Sequence, residues 1–396
     1  MTGILVLNAG SSSIKFQLYD VEGMALERRL KGQIDGIGTE HPRLRAWDGA
    51  DALIAEQRID PARASDVEDA QEVLGGWLVE HSGAPPAAVG HRVVHGGPDL
   101  ITPALVDDAL LLRLEALVPL APLHQPNNLA PIRSIRARRP DLPQVACFDT
   151  AFHRGHAPVV EHFALPAALY DQGIRRYGFH GLSYEFLATR LPEAAPEIAG
   201  GRVVALHLGS GASACAMVAG HSVDSTMGFT ALDGLPMGTR PGQLDPGVVL
   251  YLTEQGMTAA GIEHLLYHES GLKGLSGLSG DMRDLLGSTS AAAQLALDYF
   301  AHRTGAAIAA LGSSMGGLDG IVFTAGVGEN AAPVREAICR RCAWLGVRLD
   351  TAANESHGPR ISAADSEIPV YVIPTNEERM IARHTLSLLR STGALA

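Results

Sequence analysis

A short sequence pattern of apolar and small residues occurs twice in this chain, first near residue 4 and again near residue 203. Residues 4–7 are apolar, the small-residue turn 8–13 follows, and apolar residues then alternate with polar ones. The runs 203–206, 207–213 and 214–218 repeat that order. Each copy predicts a β-hairpin whose turn exposes backbone N–H groups, which suits phosphate oxygens. The repetition predicts two related lobes.

The length, composition and charge of the chain exclude several classes of protein. The chain has 396 residues, enough for two domains, and its 46% of hydrophobic residues excludes a disordered protein. A net charge of −12 argues against nucleic-acid binding by broad phosphate neutralisation. No run of apolar residues is long enough to span a membrane, and no basic segment precedes the first apolar run. We therefore expect a cytoplasmic protein with no nucleic-acid or membrane partner.

Two familiar phosphate-binding signatures do not fit. The chain contains no GxxxxGK[ST] sequence, so a P-loop is excluded. Gly209–Ala214 matches the G-x-G-x-x-A form of the dinucleotide fingerprint, but that fingerprint requires a helix after the loop. Here residues 214–218 and the turn at 219–221 predict a second strand, which disfavours a dehydrogenase.

Later segments predict further elements of an α/β fold. Residues 290–315 predict a helix ended by glycines, and residues 321–324 a buried strand. Residues 326–330 predict a glycine-rich loop, and Pro333 starts another helix. Residues 36–70 predict a hairpin with connecting loops.

Charged residues stand inside several apolar or glycine-rich segments, where an unpaired charge is costly to bury. Arg92 can be an edge-strand arginine paired with a carboxylate, or can bind a ligand. Asp149 can cap a helix, and Glu377 can cap a helix or bind a metal. Arg240 lies in a segment of glycines and prolines without predicted regular structure, and His180 can be a core histidine.

Together these features suit phosphoryl transfer, which needs glycine turns for nucleotide phosphates, arginines for developing charge, and oxygen ligands for Mg²⁺. Through segments that occur in the same order between residues 8 and 378, the chain resembles the acetate kinase family over essentially its whole length. The segments that carry the resemblance are NAGSSSIKF, HRVVHGG, FDTAFH, RRYGFHGLSY, HLGSGAS, MGTRPGQLDPG, SGDMRDL, AGVGEN and IPTNEE.

The resemblance implies a fold of two duplicated ribonuclease-H-like α/β domains, as in actin-like ATPases, around a nucleotide cleft. It places the first lobe at residues 1–150, with a returning C-terminal helix at 378–396. The nucleotide-binding lobe is then residues 151–377. Members of the family are usually homodimers, so we expect a homodimer.

The resemblance also implies site residues. The catalytic residues are Asp149, His180 and Arg240. The substrate acid contacts Arg92, Val94, Leu123, Phe179 and Ala231. Asn8 and Glu377 are the positions for Mg²⁺, which Mn²⁺ can replace. The ATP-binding residues are Lys15, His207, Leu208, Gly209, Ser210, Gly211, Asp281, Met282, Arg283, Gly326, Val327, Gly328, Glu329 and Asn330.

The implied reaction is the reversible transfer of the ATP γ-phosphoryl group to acetate, which gives acetyl phosphate by direct in-line attack. A carboxylate with a pKa of about 4 is already ionised at pH 7, so no general base is needed. Asp149 is therefore expected to orient Mg²⁺ and its waters or the substrate. His180 and Arg240 are expected to stabilise the charge of the transition state.

Two residues depart from the family pattern. Ser210 stands where an asparagine is common, but the backbone N–H groups of the turn are unchanged. Ala231 stands where a proline is common in the wall of the methyl pocket, so a slightly larger acid such as propionate is an alternative substrate. An actin-like ATPase module is an alternative from another class, but it would not need the pair Arg92 and Arg240.

Overall fold

The computed structural model describes residues 2–10 and 12–394, which form two compact units. The first consists of Met1–Ala151 with Asn376–Ala396, and the second of Phe152–Thr375. Glu377 therefore belongs to the first unit, whereas the predicted lobe 151–377 included it. The assignment of one of these parts as the nucleotide-binding lobe remains a prediction. Ser11, in the first predicted turn, lies outside the described residues.

The first unit contains one mixed sheet and the helices that pack on it. Its strands are β1 (Thr2–Ala9), β2 (Ser13–Glu22), β3 (Ala25–Asp35), β4 (Arg43–Asp48), β5 (Leu53–Arg58), β6 (Ala88–Val93), β7 (Ala104–Leu105) and β8 (Gln144–Phe148). Its helices are α1 (Val67–His81), α2 (Asp108–Glu115), α3 (Gln125–Arg138) and the C-terminal helix (Glu377–Ser391), with 3₁₀ turns at Pro61–Arg63 and Val118–Leu120. A further 3₁₀ turn, Ala151–His153, begins at the last residue of the segment Met1–Ala151 and ends in the second unit. Among the described residues the strand order is β5-β4-β3-β2-β1-β6-β8-β7. The hairpin β4–β5 confirms the one predicted within residues 36–70.

The second unit is also built on one sheet. Its strands are β9 (Arg202–Leu208), β10 (Ala212–Val218), β11 (His221–Ser225), β12 (Gly320–Thr324) and β13 (Val370–Val372), in the order β11-β10-β9-β12-β13. Its helices are α4 (Pro158–Glu161), α5 (Ala167–Asp171), α6 (Gly181–Ala194), α7 (Pro196–Ala199), α8 (Pro246–Glu254), α9 (Ala259–His264), α10 (Gly271–Ser276), α11 (Met282–Leu286), α12 (Ala291–Ser314), α13 (Ala325–Asn330), α14 (Ala332–Arg341) and α15 (Thr351–Glu355). A π-helical turn covers Leu265–Glu269 and a 3₁₀ turn covers Ala343–Leu345.

The two sheets share a topology. In the first, β1, β2 and β3 are successive antiparallel neighbours, and β1, β6 and β8 are parallel neighbours. In the second, β9, β10 and β11 are antiparallel neighbours, and β9, β12 and β13 are parallel ones. This order of three antiparallel and two parallel strands is that of the ribonuclease-H-like unit. The predicted duplication of an α/β domain is therefore confirmed.

The C-terminal helix packs directly on the sheet of the first unit. A Cβ atom on Gly90 of β6 would lie 2.4 Å from Thr385 Oγ1 and 2.7 Å from Ile381 Cγ2. Only glycine allows this close approach between strand and helix. Because of this packing, the first turn of the C-terminal helix, which contains Glu377 and Glu378, belongs to the same unit as β1, β6 and β8.

The residues after Gly211 form a strand, as predicted, and not the helix of a dinucleotide fold. Strand β10 ends at Val218, and β11 begins at His221 after the two residues Ala219 and Gly220. Both have positive φ, at 49° and 78°, which is the conformation of a two-residue hairpin turn. The sheet has therefore no place for the helix that a dinucleotide fingerprint requires.

One predicted loop is a helix. Residues 326–330 were expected to form a loop because of their glycines, but Ala325–Asn330 is the short helix α13. The Glu329 carboxylate accepts the Ala325 N–H at 2.9 Å, which satisfies a donor that the first turn of a helix leaves free. The predicted helix at 290–315, the strand at 321–324 and the helix starting near Pro333 are confirmed.

Helix α6 begins at Gly181. His180 precedes it with a left-handed backbone, φ 57° and ψ 25°. The His180 carbonyl accepts hydrogen bonds from the backbone N–H groups of Ser183 and Tyr184, which form the first turn of the helix. In the part of the chain that the structure describes, no helix is long and apolar enough to cross a membrane.

Candidate active site

Three polar residues lie at the carboxyl ends of the parallel strands β1, β6 and β8 in the first unit. They are Asn8, Arg92 and Asp149, and ligands of α/β proteins commonly bind at this end of the strands. Strand β6 lies between β1 and β8 in the sheet. The reading of Arg92 as an edge-strand residue is therefore wrong, although its pairing with a carboxylate is found.

Arg92 and Asp149 form a buried ion pair. Arg92 Nη2 lies 2.5 Å from Asp149 Oδ2, and Nε lies 3.1 Å from both carboxylate oxygens. Arg92 Nη1 donates to Asn8 Oδ1 at 3.3 Å. A guanidinium has five N–H donors, so these bonds leave two for a ligand. Asp149 is only 1% exposed, and its carboxylate cannot move without breaking the pair.

Two carboxylates of the C-terminal helix add to this cluster. Asn8 Nδ2 donates to Glu378 Oε1 at 3.2 Å. Burial raises the pKa of Glu377; the positive charge of Arg92 opposes this, and Glu378 increases it. Burial alone would lower the pKa of Arg92, but Asp149, Glu377 and Glu378 outweigh it and hold that pKa above its usual value. The cluster therefore concentrates acidic oxygens around one guanidinium.

In the second unit, the His180 imidazole is tied to the β9–β10 hairpin. Its Nδ1 atom lies 2.8 Å from Ser213 Oγ, which in turn lies 2.6 Å from the Tyr184 hydroxyl. Burial raises the pKa of Tyr184 well above 10, so its hydroxyl stays protonated at neutral pH. With Nδ1 bonded to Ser213, the Nε2 atom lies on the side of Gly211, 3.3 Å from where a Cβ on that residue would stand.

His207 stacks on His180. The ring centroids are 4.1 Å apart and the ring planes differ by 15°. His207 Nδ1 lies 2.8 Å from Ser183 Oγ, and Ser183 donates to Thr375 Oγ1 at 2.9 Å. Because the Ser183 proton goes to Thr375, His207 Nδ1 must carry a proton and donate to Ser183. The stack therefore fixes both imidazole planes.

Arg240 is a half-buried cation in a segment without regular structure. Its Nη1 donates to the Ala231 carbonyl at 2.7 Å, and among the described residues of its own unit no carboxylate forms an ion pair with it. Partial burial lowers the pKa of Arg240, so its surroundings disfavour the charge. A partly desolvated guanidinium with neutral protein partners favours an anionic ligand. Its Nη2 lies 3.0 Å from where a Gly211 Cβ would stand, so it approaches the same turn as His180.

A cavity of about 790 Å³ in the second unit joins segments that are far apart in sequence. It is lined by the turn at Gly209 and Ser210, by 281–283 at the start of α11, and by one side of α13. Eight of the fourteen residues assigned to ATP line it: Gly209, Ser210, Asp281, Met282, Arg283, Gly326, Val327 and Asn330. Its volume is in the range of small-molecule sites.

The other residues assigned to ATP lie elsewhere. Lys15 is an exposed residue on β2 in the first unit. His207, Leu208 and Gly211 belong to the hairpin, next to the cavity-lining turn. Gly328 and Glu329 face into the fold, where the Glu329 carboxylate accepts from the backbone N–H groups of Ala325 and Thr375.

The residues assigned to the substrate acid divide between the units. Val94 is buried and Leu123 half-buried in the first, while Phe179 is buried and Ala231 half-buried in the second. The backbone carbonyl of Ala231 accepts a hydrogen bond from Arg240 Nη1 at 2.7 Å.

Sequence reasoning did not identify several residues of the cavity. They are Met237, Gly238, Thr239, Leu272, Gly280, Leu286, Phe300, Ala331 and Pro333. Met237–Thr239 lie just before Arg240 and could have been found from that segment. Leu272, Leu286 and Phe300 are apolar residues of helices, which a sequence pattern does not distinguish from core residues.

The comparisons with known proteins agree with this arrangement. The model of the acetokinase family matches residues 3–383, which is nearly the whole chain. The chain belongs to the acetokinase family. Members of this family use ATP and ADP as substrates.

Proteins similar to this member of the family are named for two acids. An acetate kinase of Nitrobacter hamburgensis is 58% identical over 391 residues, covering 98% of this chain and 96% of that protein. An acetate kinase of Rhizobium meliloti is 52% identical over 395 residues, covering both chains completely. A crystal structure of a propionate kinase from Francisella tularensis has a TM-score of 0.90, at 35% identity, and covers 98% of this chain and 100% of that one. The more similar sequences are thus acetate kinases, which does not favour the propionate alternative.

Proposed function

We propose that the protein is an acetate kinase, which transfers the γ-phosphoryl group of ATP reversibly to acetate. The observation that carries the proposal is the turn at Gly209–Gly211. Gly209 and Ser210 of this turn line the cavity of about 790 Å³, and the Arg240 guanidinium and the His180 imidazole approach its last residue, Gly211. Backbone N–H groups of such a turn bind phosphate oxygens, and a guanidinium and an imidazole stabilise a transferring phosphoryl group.

In the proposed reaction an acetate oxygen attacks the γ-phosphorus in line, and the bond to the ADP oxygen breaks. Acetate is ionised at neutral pH, so the chain need not supply a general base. Arg240 and His180 Nε2 stabilise the negative charge on the equatorial oxygens as it develops. The buried site around Arg240 strengthens this interaction, because its surroundings are poorly solvated.

The substrate acid is proposed to bind the two N–H donors of Arg92 that Asp149 and Asn8 leave available. Asp149 holds the guanidinium in one orientation through its paired contacts. The apolar side chains of Val94 and Leu123, in the same unit as Arg92, suit a methyl group. The similar acetate kinases of Nitrobacter hamburgensis and Rhizobium meliloti support acetate as the acid.

The residues proposed for Mg²⁺ fit that ion chemically. Asn8 supplies an amide oxygen, and the half-buried carboxyl of Glu377 has a raised pKa that a nearby cation would lower. Among the described residues no group of three or more His, Cys, Asp and Glu side chains could hold a metal. Mg²⁺ is commonly held by one or two carboxylates together with substrate phosphates, so it needs few ligands from the protein. When bound there, Mg²⁺ would neutralise phosphate charge.

Three further expectations remain proposals. The replacement of Mg²⁺ by Mn²⁺ and a homodimer rest on the family resemblance, and a location in the cytoplasm rests on the composition and segments of the sequence. They are tested by the metal dependence of activity, by sedimentation of the purified protein and by cell fractionation.

Trapping of the product by hydroxylamine tests the proposed function. Purified protein with ATP, Mg²⁺ and hydroxylamine should form acetyl hydroxamate only when acetate is added. The variant Arg240→Ala should lose this activity. Arg190→Ala is a matched control, because Arg190 is an exposed arginine of the same unit that pairs with Glu193. ATP hydrolysis without hydroxamate would instead support an ATPase module and overturn the proposal.

A further inference from the structure

A chain of hydrogen bonds in the second unit connects two buried histidines to the backbone just before His180. His153, at the end of the 3₁₀ turn Ala151–His153, is fully buried. Its Nε2 lies 2.9 Å from the Phe179 carbonyl oxygen, and its Nδ1 lies 2.8 Å from Ser222 Oγ. His156 Nε2 lies 2.8 Å from the same hydroxyl. The proposed phosphoryl transfer assigns no role to these residues.

The partners determine where each proton lies. A carbonyl oxygen can only accept, so His153 Nε2 carries a proton and donates it to Phe179. Burial lowers the pKa of His153 to about 3, so the ring is neutral and its Nδ1 must accept from Ser222. The single Ser222 proton is then used, and His156 Nε2–H must donate to Ser222 Oγ. The chain of donors therefore runs from His156 through Ser222 to His153 and ends at Phe179.

The end of this chain sets the backbone of His180. The Phe179 carbonyl belongs to the peptide group that joins Phe179 to His180, so its orientation determines φ of His180. That φ is 57°, in the left-handed region that residues other than glycine rarely adopt. A specific contact is needed to hold a histidine there, because the conformation is strained. The hydrogen bond from His153 is such a contact.

Close packing keeps the His153 ring against the same segment. Gly178 has φ 76°, and a Cβ atom built on it would lie 2.5 Å from His153 Cγ. The ring also meets the Tyr184 ring edge-on, at 5.8 Å between centroids. Tyr184 is the residue whose hydroxyl shares Ser213 with His180. The His153 ring therefore contacts both the backbone that precedes His180 and a residue that holds its side chain.

We propose that His153, fixed in its Nε2–H tautomer by Ser222 and His156, is a positioning residue for His180. The inference rests on the proposed function, because it gives His180 its role in phosphoryl transfer. His153 itself does not touch the reacting atoms. It fixes the peptide plane from which the His180 imidazole projects towards Gly211. Loss of the bond should move His180 while leaving the cavity for ATP intact.

Variants that keep or remove the donor test this. His153→Leu removes the donor, and His153→Gln keeps an N–H group that can replace Nε2–H. We expect His153→Leu to lower kcat by roughly 10- to 100-fold, since a displacement of about 1 Å can cost a factor of about 100. The KM values for acetate and ATP should change less than about threefold. His153→Gln should restore most of kcat. His221→Gln, at an exposed histidine beside Ser222, is the matched control and should retain wild-type kcat.

The result for the wild type separates the two proposals. If the wild-type protein forms no acetyl hydroxamate, the proposed function fails whatever the variants do. If the wild type is active and folded His153→Leu keeps its kcat, the positioning role is refuted. The same holds if His153→Leu lowers only the thermal stability, with unchanged kcat per folded molecule.

A measurement on the unmodified protein does not depend on how the variants fold. Long-range ¹H–¹⁵N correlation spectra distinguish histidine tautomers through the two ring nitrogens. We expect His153 to appear as a neutral ring protonated at Nε2, with a slowly exchanging proton, from pH 6 to 8. In Ser222→Ala the Nδ1–H tautomer should become detectable and kcat should fall about three- to tenfold. A wild-type ring protonated at Nδ1, or a Ser222→Ala variant with unchanged tautomer and kcat, would overturn the proposal.

Discussion

Replacing Gly211 with alanine adds one methyl group between the two side chains proposed to stabilise the transition state. The new Cβ would lie 3.0 Å from Arg240 Nη2, 3.3 Å from His180 Nε2 and 3.5 Å from His180 Cε1. Gly211 is not among the residues with positive φ, so alanine can adopt its backbone conformation without strain. The substitution removes no functional group. It therefore tests the position of the two side chains and not their chemistry.

The size of the effect follows from the contact distances. Carbon atoms prefer neighbours at about 3.5–4.0 Å, so the Arg240 guanidinium must move by roughly 0.5 Å and the imidazole by less. Reacting groups need to be held within about 0.5 Å, and an error of about 1 Å can cost a factor of about 100. We therefore expect kcat to fall about tenfold, which is about 1.4 kcal/mol in the barrier. Stability should be unchanged or slightly higher, because alanine reduces the freedom of the unfolded chain.

Steady-state formation of acetyl hydroxamate gives kcat and the KM values for acetate and ATP. Gly76→Ala is a suitable control, since no heavy atom lies within 4 Å of a Cβ there and the residue is in α1 of the first unit. That variant should gain helix stability, by about 1 kcal/mol, and keep its kcat. Thermal unfolding of both variants confirms that folded protein is compared.

A Gly211→Ala variant that folds normally and keeps kcat within twofold of the wild type would refute the reasoning. It would mean that the Arg240 guanidinium and the His180 imidazole can move by several tenths of an ångström without consequence. A large rise in the KM for ATP at unchanged kcat would also refute it. The methyl group would then obstruct nucleotide binding and would not displace the catalytic side chains.

Three other substitutions have distinct expected outcomes. Arg240→Ala should lower kcat by a factor of about 100 to 1,000 with small changes in KM, as expected for loss of one transition-state donor; a purely structural role would lower stability and leave kcat intact. Arg92→Ala should lower the free energy of unfolding by roughly 3–5 kcal/mol in urea titrations, because it leaves the Asp149 carboxylate buried without its partner, and should raise the KM for acetate. His91 is buried with a pKa lowered to about 4, so its contribution to stability is complete above pH 6.5 and is lost as the pH falls towards 4. Between pH 7 and pH 5 the free energy of unfolding of the wild type should fall by about 2 kcal/mol more than that of His91→Gln. An equal pH dependence of unfolding in the two proteins would contradict this.

The duplicated fold could be predicted because its signals are local. In β2, Ile14 and Phe16 are buried and Lys15 is exposed. This alternation follows from the two-residue period of a strand, in which successive side chains point to opposite faces. The turn between β10 and β11 is indicated by Gly220, because glycine adopts positive φ readily. Such features depend on a few neighbouring residues. They appear in the sequence at the positions where they act.

The helix α13 was missed because its cause is not local. Glycines in residues 326–330 favour a loop, but the Glu329 carboxylate accepts the N–H groups of both Ala325 and Thr375. Thr375 is distant in sequence and is brought there by the strand β13 that precedes it. Arg335, fully buried, also donates to the carbonyls of Gly328 and Glu329 at the other end of this helix. Tertiary contacts therefore overrule the local preference.

The sequence alone determined which residue types are available for chemistry: Arg92, Asp149, His180 and Arg240 stand out as charged or polar residues in segments that otherwise fit burial. Only the tertiary structure decided their partners. Arg92 pairs with Asp149, 57 residues away, because β6 and β8 are neighbours in the sheet. His153 reaches Ser222, 69 residues away. The physical reason is that a buried polar group must find a hydrogen-bond partner wherever the fold supplies one, and strand order, which no local pattern contains, determines what is within reach.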